Sequence, residues 1–363
     1  MTWSPQQEAA LKAVRAWLAD KARPQVFYLA GFAGTGKTTL AKELAGNLKG
    51  DVLFGAFTGK AALVLRRKGC TDASTIHSMI YTVLEQDGVK RFRLNPDAAV
   101  ADAALVIIDE CSMVGEALAR DLLSFGTPVL VLGDPAQLPP VKDEGFFTNR
   151  RPDVMLTEIH RQAAENPIIR LSMDVREGRG LAHGDFGAVR VIGRDAVDRA
   201  EVMAADQILV GLNRTRHLYN MRIRKLQGRV TAMPEVGERV VCLRNDKDRG
   251  LLNGGLWHVT KLMPSDERRW AMVVRSADFD DGPAVRIGVH PLFFLGRSAD
   301  VPEVIRKKCD WFDFGYALTV HKSQGSQWDN VYLFDESGTF RDDAAKWLYT
   351  GITRAAERLT VVL

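Results

Sequence analysis

The segment Gly31-Phe32-Ala33-Gly34-Thr35-Gly36-Lys37-Thr38 constrains this chain more than any other stretch. It fits the pattern GxxxxGK[ST] in full. Such a loop works between a buried strand and a helix. Its glycines let backbone N–H groups curl inward around phosphate oxygens, and the N-terminus of the following helix adds partial positive charge. The flanks comply: residues 26–30 form a short apolar run of strand character, and residues 38–48 read as the helix leaving the loop. ATP or GTP binding follows. Gly31, Gly34, Thr35 and Gly36 form the cradle, with Thr39 completing the nucleotide-binding set. Lys37 neutralises the β- and γ-phosphates, and the Thr38 hydroxyl ligates Mg2+.

The first half alternates apolar runs with amphipathic stretches, the pattern of a parallel sheet wrapped by helices. Ser4, Pro5 and Gln7 mark a helix start: a capping serine, a proline at the first helical position and a glutamine three residues after the cap. Residues 53–57, 105–108 and 129–132 supply further short core strands. Two stretches break the alternation. Residues 82–93 place Asp87-Gly88 between strand-like arms, a hairpin of the type I′ kind. Residues 234–310 have Gly-rich turns and β-favouring runs such as 257–260 and 271–274, which read as a β-rich insertion. Buried-strand character returns at 314–320 and 330–334. The expected organisation is a first domain at 1–150 carrying a hairpin at about 82–98, a second at 151–233 and 311–363, and an insertion at 234–310.

Asp109-Glu110 ends the apolar run 104–108, so both carboxylates point to the edge of the sheet where the phosphates sit. Asp109 suits the Mg2+ shell, and Glu110 suits orienting or deprotonating the attacking water. Gln137 in Gly133-Asp134-Pro135-Ala136-Gln137 ends a third strand and suits sensing of the γ-phosphate. Read alone, that segment is a turn of common turn residues. Phosphoryl transfer also calls for an arginine opposite the γ-phosphate. Arg161 and Arg354 are candidates, but among 49 lysines and arginines spacing does not choose them.

A length of 363 residues implies two or three domains, and 46% hydrophobic with 26% charged residues is a globular composition. No apolar run reaches membrane-spanning length and no leader pattern opens the chain, so no membrane partner is expected. Four scattered cysteines without a CxxC pair argue against a zinc ribbon or disulfide framework and for a reducing cytoplasm. A net charge of +4 permits a nucleic-acid partner without requiring one.

In order, these segments resemble the superfamily 1B helicases, specifically the RecD-like and Dda-like group, over nearly the whole chain. The resemblance runs through Gln7, the loop, Ala56-Phe57-Thr58-Gly59-Lys60-Ala61-Ala62 and Ala73-Ser74-Thr75-Ile76-His77-Ser78. It continues through Asp109-Glu110-Cys111-Ser112-Met113 and Gly133-Asp134-Pro135-Ala136-Gln137-Leu138-Pro139-Pro140. The second half adds Leu156-Thr157-Glu158-Ile159-His160-Arg161, Leu318-Thr319-Val320-His321-Lys322-Ser323-Gln324-Gly325 and Tyr349-Thr350-Gly351-Ile352-Thr353-Arg354.

The resemblance implies two RecA-like P-loop NTPase domains with ATP between them, and 5′-to-3′ movement on single-stranded DNA with unwinding at single-strand/duplex junctions. It implies action as a monomer and makes Arg161 and Arg354 the γ-phosphate fingers. Gln7 becomes an adenine reader, beside the capping role already read for it. Thr58, Lys60, Ser74, Thr75, His77, Thr319, His321 and Lys322 fall on the DNA path, residue types suited to phosphate contact without sequence readout; His77 also reads as a core histidine. The hairpin matches the family's strand-splitting pin. There Phe92 either stacks on a base or packs the hairpin onto its domain. The β-rich insertion matches an SH3-like element. One departure is Gln327, where many relatives have Glu, and it bears on nucleotide preference. The sequence runs only to Leu363, so no appended nuclease domain is expected within it. Two other readings remain: an RNA or RNA–DNA remodelling helicase, and an ATP-gated strand-binding recombination mediator that does not unwind.

Overall fold

The computed structural model describes residues 3–86, 89–139, 145–158, 165–246, 249–277 and 284–363. The chain opens with helix α1 (Pro5–Ala19). Ser4 caps it: the Gln7 N–H donates to the serine hydroxyl while the Gln7 side chain accepts from the Ser4 N–H, the reciprocal box read from sequence. Ala10, Leu11, Val14 and Trp17 form its buried face.

A six-stranded sheet follows. In chain order it uses β1 (Val26–Gly31), β2 (Val52–Ala56), β3 (Ser74–Thr75), β6 (Leu105–Asp109), β7 (Val129–Gly133) and β8 (Val154–Leu156). β4 (Tyr81–Gln86) and β5 (Val89–Leu94) pair only with each other. The spatial order is β3-β2-β6-β7-β1-β8, parallel throughout. Helices α2 (Lys37–Gly46), α3 (Gly59–Arg67), α4 (Ile76–Ile80), α5 (Glu116–Leu123) and α6 (Pro167–Arg176) accompany these strands. Because side chains alternate across a strand, the central strands serve two cores. Phe27, Leu29, Leu105, Ile107, Leu130 and Leu132 pack on α1 and α2. Tyr28, Ala30, Val106, Ile108, Val129 and Val131 pack on α4 and α5.

The second half contains β9 (Gly184–Asp185), β10 (Val189–Ile192), α7 (Arg199–Ala204), β11 (Gln207–Val210) and α8 (Asn213–Leu226). It continues with β12 (Arg239–Cys242), β13 (Leu256–Leu262), β14 (Trp270–Ser276), β15 (Val285–Val289), α9 (Glu303–Lys308), β16 (Phe312–Phe314) and β17 (Ala317–Thr319). Last come α10 (Val320–Ser323), β18 (Trp328–Phe334), α11 (Ala344–Ile352) and β19 (Ala355–Val362). A second six-stranded sheet has the order β17-β11-β18-β19-β10-β9, and a five-stranded sheet has the order β15-β14-β13-β12-β16. The latter is antiparallel and fills the β-rich insertion. Its inward residues, among them Val240, Trp257, Met272 and Phe312, share one core with Ile208, Val210 and Tyr332 of the second sheet.

Three expectations need correction. The apolar run at 314–320 is not one strand: β16 pairs with β12 of the small sheet, and β17 pairs with β11 of the large one. Gly315 makes that corner, where a Cβ would lie 3.0 Å from the Leu256 side chain and the Val240 backbone. The boundary expected at residue 150 also moves. The chain forms two compact units: Met1–Ala182 with Phe186–Val189 and Asp342–Thr353, then His183–Asp185 with Arg190–Arg341 and Arg354–Leu363. The first unit runs past 150 because β8 closes the edge of β1. Finally, α11 was expected in the second domain. It belongs to the first unit because it packs against α6 and buries Trp347, Leu348, Tyr349 and Ile352.

Candidate functional site

In a parallel sheet all strand carboxyl ends share one edge, where ligands bind in open α/β folds. Here β1, β7 and β6 lie side by side and end in Gly31, Gly133 and Asp109. Phosphate loop, third-strand turn and paired carboxylates therefore meet at one edge within the first unit. In sequence they are far apart.

The loop itself is tightly specified. A Cβ on Gly31 would lie 2.6 Å from the Thr35 hydroxyl and 2.9 Å from Leu156, so the close approach of β8 demands glycine. Gly34 and Gly36 have φ of 79° and 85°, left-handed values that glycine adopts without strain. Thr35 is fully buried, and its hydroxyl donates to the Phe32 carbonyl at 2.9 Å. The Lys37 ammonium lies over the loop, donating to the Gly31 and Phe32 carbonyls at 2.6 and 2.9 Å. Thr38 and Thr39 lie in the first turn of α2.

The Thr38 hydroxyl donates to Asp109 Oδ2 at 3.0 Å, bringing together the two residues expected to hold Mg2+. One hydroxyl and one carboxylate fit this hard cation, which keeps most of its water shell and takes few protein ligands beside substrate phosphates. Glu110 has φ of 53° and its N–H donates to Asp109 Oδ1 at 2.9 Å. A non-glycine residue at positive φ stores strain, a feature that clusters at functional sites. Gln137 is buried, and its side-chain oxygen has no hydrogen-bond partner among the described residues. Such a group loses its solvation unless a ligand or water supplies a donor. At the start of the turn after Glu110, burial first and then the Asp109 and Glu110 charges push the Cys111 thiol up, keeping it protonated.

Gln7 is buried and hydrogen-bonded within the protein at both ends of its amide. Its Oε1 serves the α1 cap and its Nε2 donates to the Thr35 carbonyl at 3.1 Å. The residue thus braces the phosphate loop from behind.

The residues expected on the DNA path fall in both units. Thr58, Thr75 and Thr319 share one local design: each hydroxyl caps the helix after a strand, accepting from Ala61, Ser78 and Lys322 N–H groups at 3.1, 3.2 and 3.3 Å. Ser74 is half-buried on β3, and Lys60 is buried in the first turn of α3. His77 joins an aromatic cluster with Phe57, Tyr81 and Phe92 at ring separations of 6.2, 5.6 and 6.0 Å. Phe92 is 58% exposed while its edge rests on His77 and Tyr81, so it packs the hairpin base and still presents a face to solvent. The hairpin arms pair in register from Tyr81 opposite Leu94, while Asp87 and Gly88 lie outside the described residues.

In the second unit His321 packs against Phe340 at 5.4 Å. Lys322 lies beside the buried pair of Arg216 and Asp313, 2.7 Å apart. Burial, then the Arg216 charge, lower the Lys322 ammonium to about 8, against the opposing pull of Asp313. Arg354 is buried and donates to the Ser326 carbonyl at 3.2 Å. Arg161 lies outside the described residues, and Gln327 is exposed.

Sequence reasoning missed Tyr349 as a site residue. Its hydroxyl donates to Asp134 Oδ2 at 2.6 Å and accepts from the Ala33 N–H at 2.9 Å. Thr350 beside it accepts from the Leu138 N–H at 2.9 Å, and the Arg176 guanidinium lies 3.6 Å over the Phe32 ring. An apolar helix carrying Tyr349 reads as core, and nothing in its spacing points to residue 33 or 134. The Arg216–Asp313 pair was also missed, since its members lie far apart in sequence.

A family model described as "AAA domain" matches residues 2–193, and one described as "UvrD-like helicase C-terminal domain" matches residues 314–362. Among curated proteins, the chain is 31% identical to the ATP-dependent RecD2 DNA helicase of Deinococcus radiodurans, over 91% of this chain and 46% of that protein. It is 28% identical to the conjugal transfer protein TraA of Agrobacterium fabrum, over 90% of this chain and 30% of that one. The chain therefore spans less than half the length of either relative. Among solved structures, Pif1 helicase at forked duplex DNA aligns with a TM-score of 0.59 at 19% identity, covering 99% of this chain and 92% of that one. Bacteroides Pif1 bound to single-stranded DNA aligns at 0.57 with the same identity and coverage. At that identity the likeness speaks for the fold.

Proposed function

We propose that this chain, which belongs over residues 2–193 to the family described as an AAA domain, is a RecD/Pif1-like helicase of superfamily 1B, an ATP-driven DNA helicase moving 5′ to 3′ along single-stranded DNA. The observation that carries the reading is the contact of Thr38 with Asp109 at the sheet edge, beside a buried Gln137 oxygen without a partner among the described residues. In this reading Lys37 leaves the loop carbonyls for the β- and γ-phosphates, and the loop N–H groups hold the phosphate chain. Thr38 and Asp109 hold Mg2+, which supplies charge neutralisation at the phosphates when bound. Glu110 accepts a proton from the attacking water, and Gln137 orients that water. Arg161 and Arg354 are the proposed γ-phosphate fingers.

Thr58 and Thr319 have a capping duty that uses an oxygen lone pair and leaves the hydroxyl proton for a DNA phosphate, whereas the Thr75 hydroxyl also lies 2.6 Å from Ser78 Oγ. With Lys60, Ser74, His321 and Lys322 they grip the backbone without reading sequence. Phe92 offers its exposed face to a base at the junction, and His77 supports it from below. Unwinding of 5′-tailed and 3′-tailed duplexes tests the proposal. Unwinding of the 5′-tailed substrate alone is expected, activity confined to the 3′-tailed one refutes the polarity, and a Lys37→Ala chain that still unwinds refutes the motor.

A further inference from the structure

The phosphate loop and the turn after β7 come from strands more than a hundred residues apart, and α11 arrives still later in the chain. One side chain of α11 touches both. Tyr349 is buried, and its hydroxyl stands between the Ala33 N–H at 2.9 Å and the Asp134 carboxylate at 2.6 Å. Asp134 in turn shapes the turn that carries Gln137: its Oδ1 accepts from the Ala136 N–H at 3.0 Å, and its backbone carbonyl accepts from the Gln137 N–H at 3.1 Å. Thr350 holds the next residue, accepting from the Leu138 N–H. Burial, then the Asp134 charge, push the Tyr349 phenol up, so it stays protonated and donates.

Resting on the ATPase reading above, we propose that Tyr349 is a positioning residue for hydrolysis, tying the phosphate loop to the turn that presents Gln137. A water-orienting side chain accelerates the reaction only when held in register with the phosphates, and small misplacements cost much of the rate. Without the hydroxyl, Ala33 and Asp134 each lose a buried partner and the two loops move independently. The effect belongs in kcat rather than in ATP binding, because the N–H groups of the cradle remain.

The test uses the full chain, unaltered and as Tyr349→Phe, Asp134→Ala and the double variant. ATP hydrolysis with oligo-dT is measured as kcat and KM, normalised to sites counted with fluorescent ADP so that misfolded protein does not enter. Each single variant is expected to lose about tenfold in kcat with KM within about twofold, and the double variant to lose the same tenfold rather than their product. Amide exchange is expected to rise in residues 31–38 and 134–138 together in Tyr349→Phe. Hydrolysis by the unaltered chain with kcat unchanged in Tyr349→Phe, or losses that multiply in the double variant, overturns the role. No hydrolysis by the unaltered chain overturns the ATPase reading itself.

Discussion

Lys322 shows how a single residue's chemistry depends on neighbours that sequence does not reveal. Next to a buried guanidinium and partly buried itself, it keeps its proton only up to about pH 8. An unfolded lysine holds its proton to about pH 10.4, so between these values the unfolded chain binds more protons and stability rises with pH. If Lys322 grips a DNA phosphate, affinity changes in the opposite direction and falls as pH passes 8. Binding of oligo-dT across a salt series at pH 7 and pH 9 is expected to show a log–log slope shallower by about 1 at the higher pH. A Lys322→Gln chain is expected to show the same slope at both. Parallel slopes for the unaltered chain would remove Lys322 from the DNA path. By contrast, the Lys37, Asp109 and Glu110 grouping was legible from sequence because motif and strand end fix both residue type and direction.

At the scale of the element, α8 illustrates a helix held by buried polar contacts as well as apolar ones. Asn220 is buried and bridges the Phe314 and Ala317 carbonyls at 3.2 Å each, and its Oδ1 accepts from the Ala317 N–H at 2.8 Å. It therefore pins the corner where the chain leaves the small sheet for the large one. Arg224 is almost wholly buried and pairs with Glu238 at 2.7 and 2.9 Å, while the Thr231 and Met233 carbonyls take two more of its donors. Its guanidinium also lies 4.2 Å over the Phe314 ring. Removing one partner of a satisfied buried pair strands the other, typically at about 3–5 kcal/mol. Arg224→Ala is expected to destabilise the second unit by that amount in urea unfolding, and Arg224→Ala with Glu238→Ala by less than the sum. A loss below about 1 kcal/mol would place the pair among exposed ion pairs instead. Helical periodicity predicts none of this, since α8 reads as a charged surface helix.

Over the whole molecule, the first unit is not contiguous in sequence. It takes its last helix, α11, from residues 342–353, after most of the second unit and just before that unit's final strand β19. A fragment ending at Ala182 retains the loop and both carboxylates but leaves the α6 face without Trp347, Tyr349 and Ile352. Each large apolar side chain, fully buried, contributes about 1.5–3 kcal/mol. The fragment is expected to unfold at a lower urea concentration than one in which residues 342–353 are joined to it by a glycine-rich linker, as followed by circular dichroism. Equal midpoints would mean that α11 is not part of that core. Expectation and structure differ most here, because alternation along the chain gives no sign that a helix this late returns to the first unit.

The sequence alone pointed to a phosphate loop between strand and helix, to α/β alternation, to a β-rich stretch after residue 234 and to the capping box at Ser4. Those follow from short-range rules: glycine geometry, strand and helix periodicity, and the charges a phosphate needs. Only the tertiary structure decided that Gln7 braces the loop, that residues 314–320 divide between two sheets, and that Tyr349 bridges Ala33 and Asp134. These depend on which distant segments become neighbours, β7 beside β1, β16 beside β12 and β17 beside β11, and no local pattern in the chain encodes those adjacencies. Their physical basis is long-range. A buried polar atom must find a partner, and the fold determines which partner is near enough.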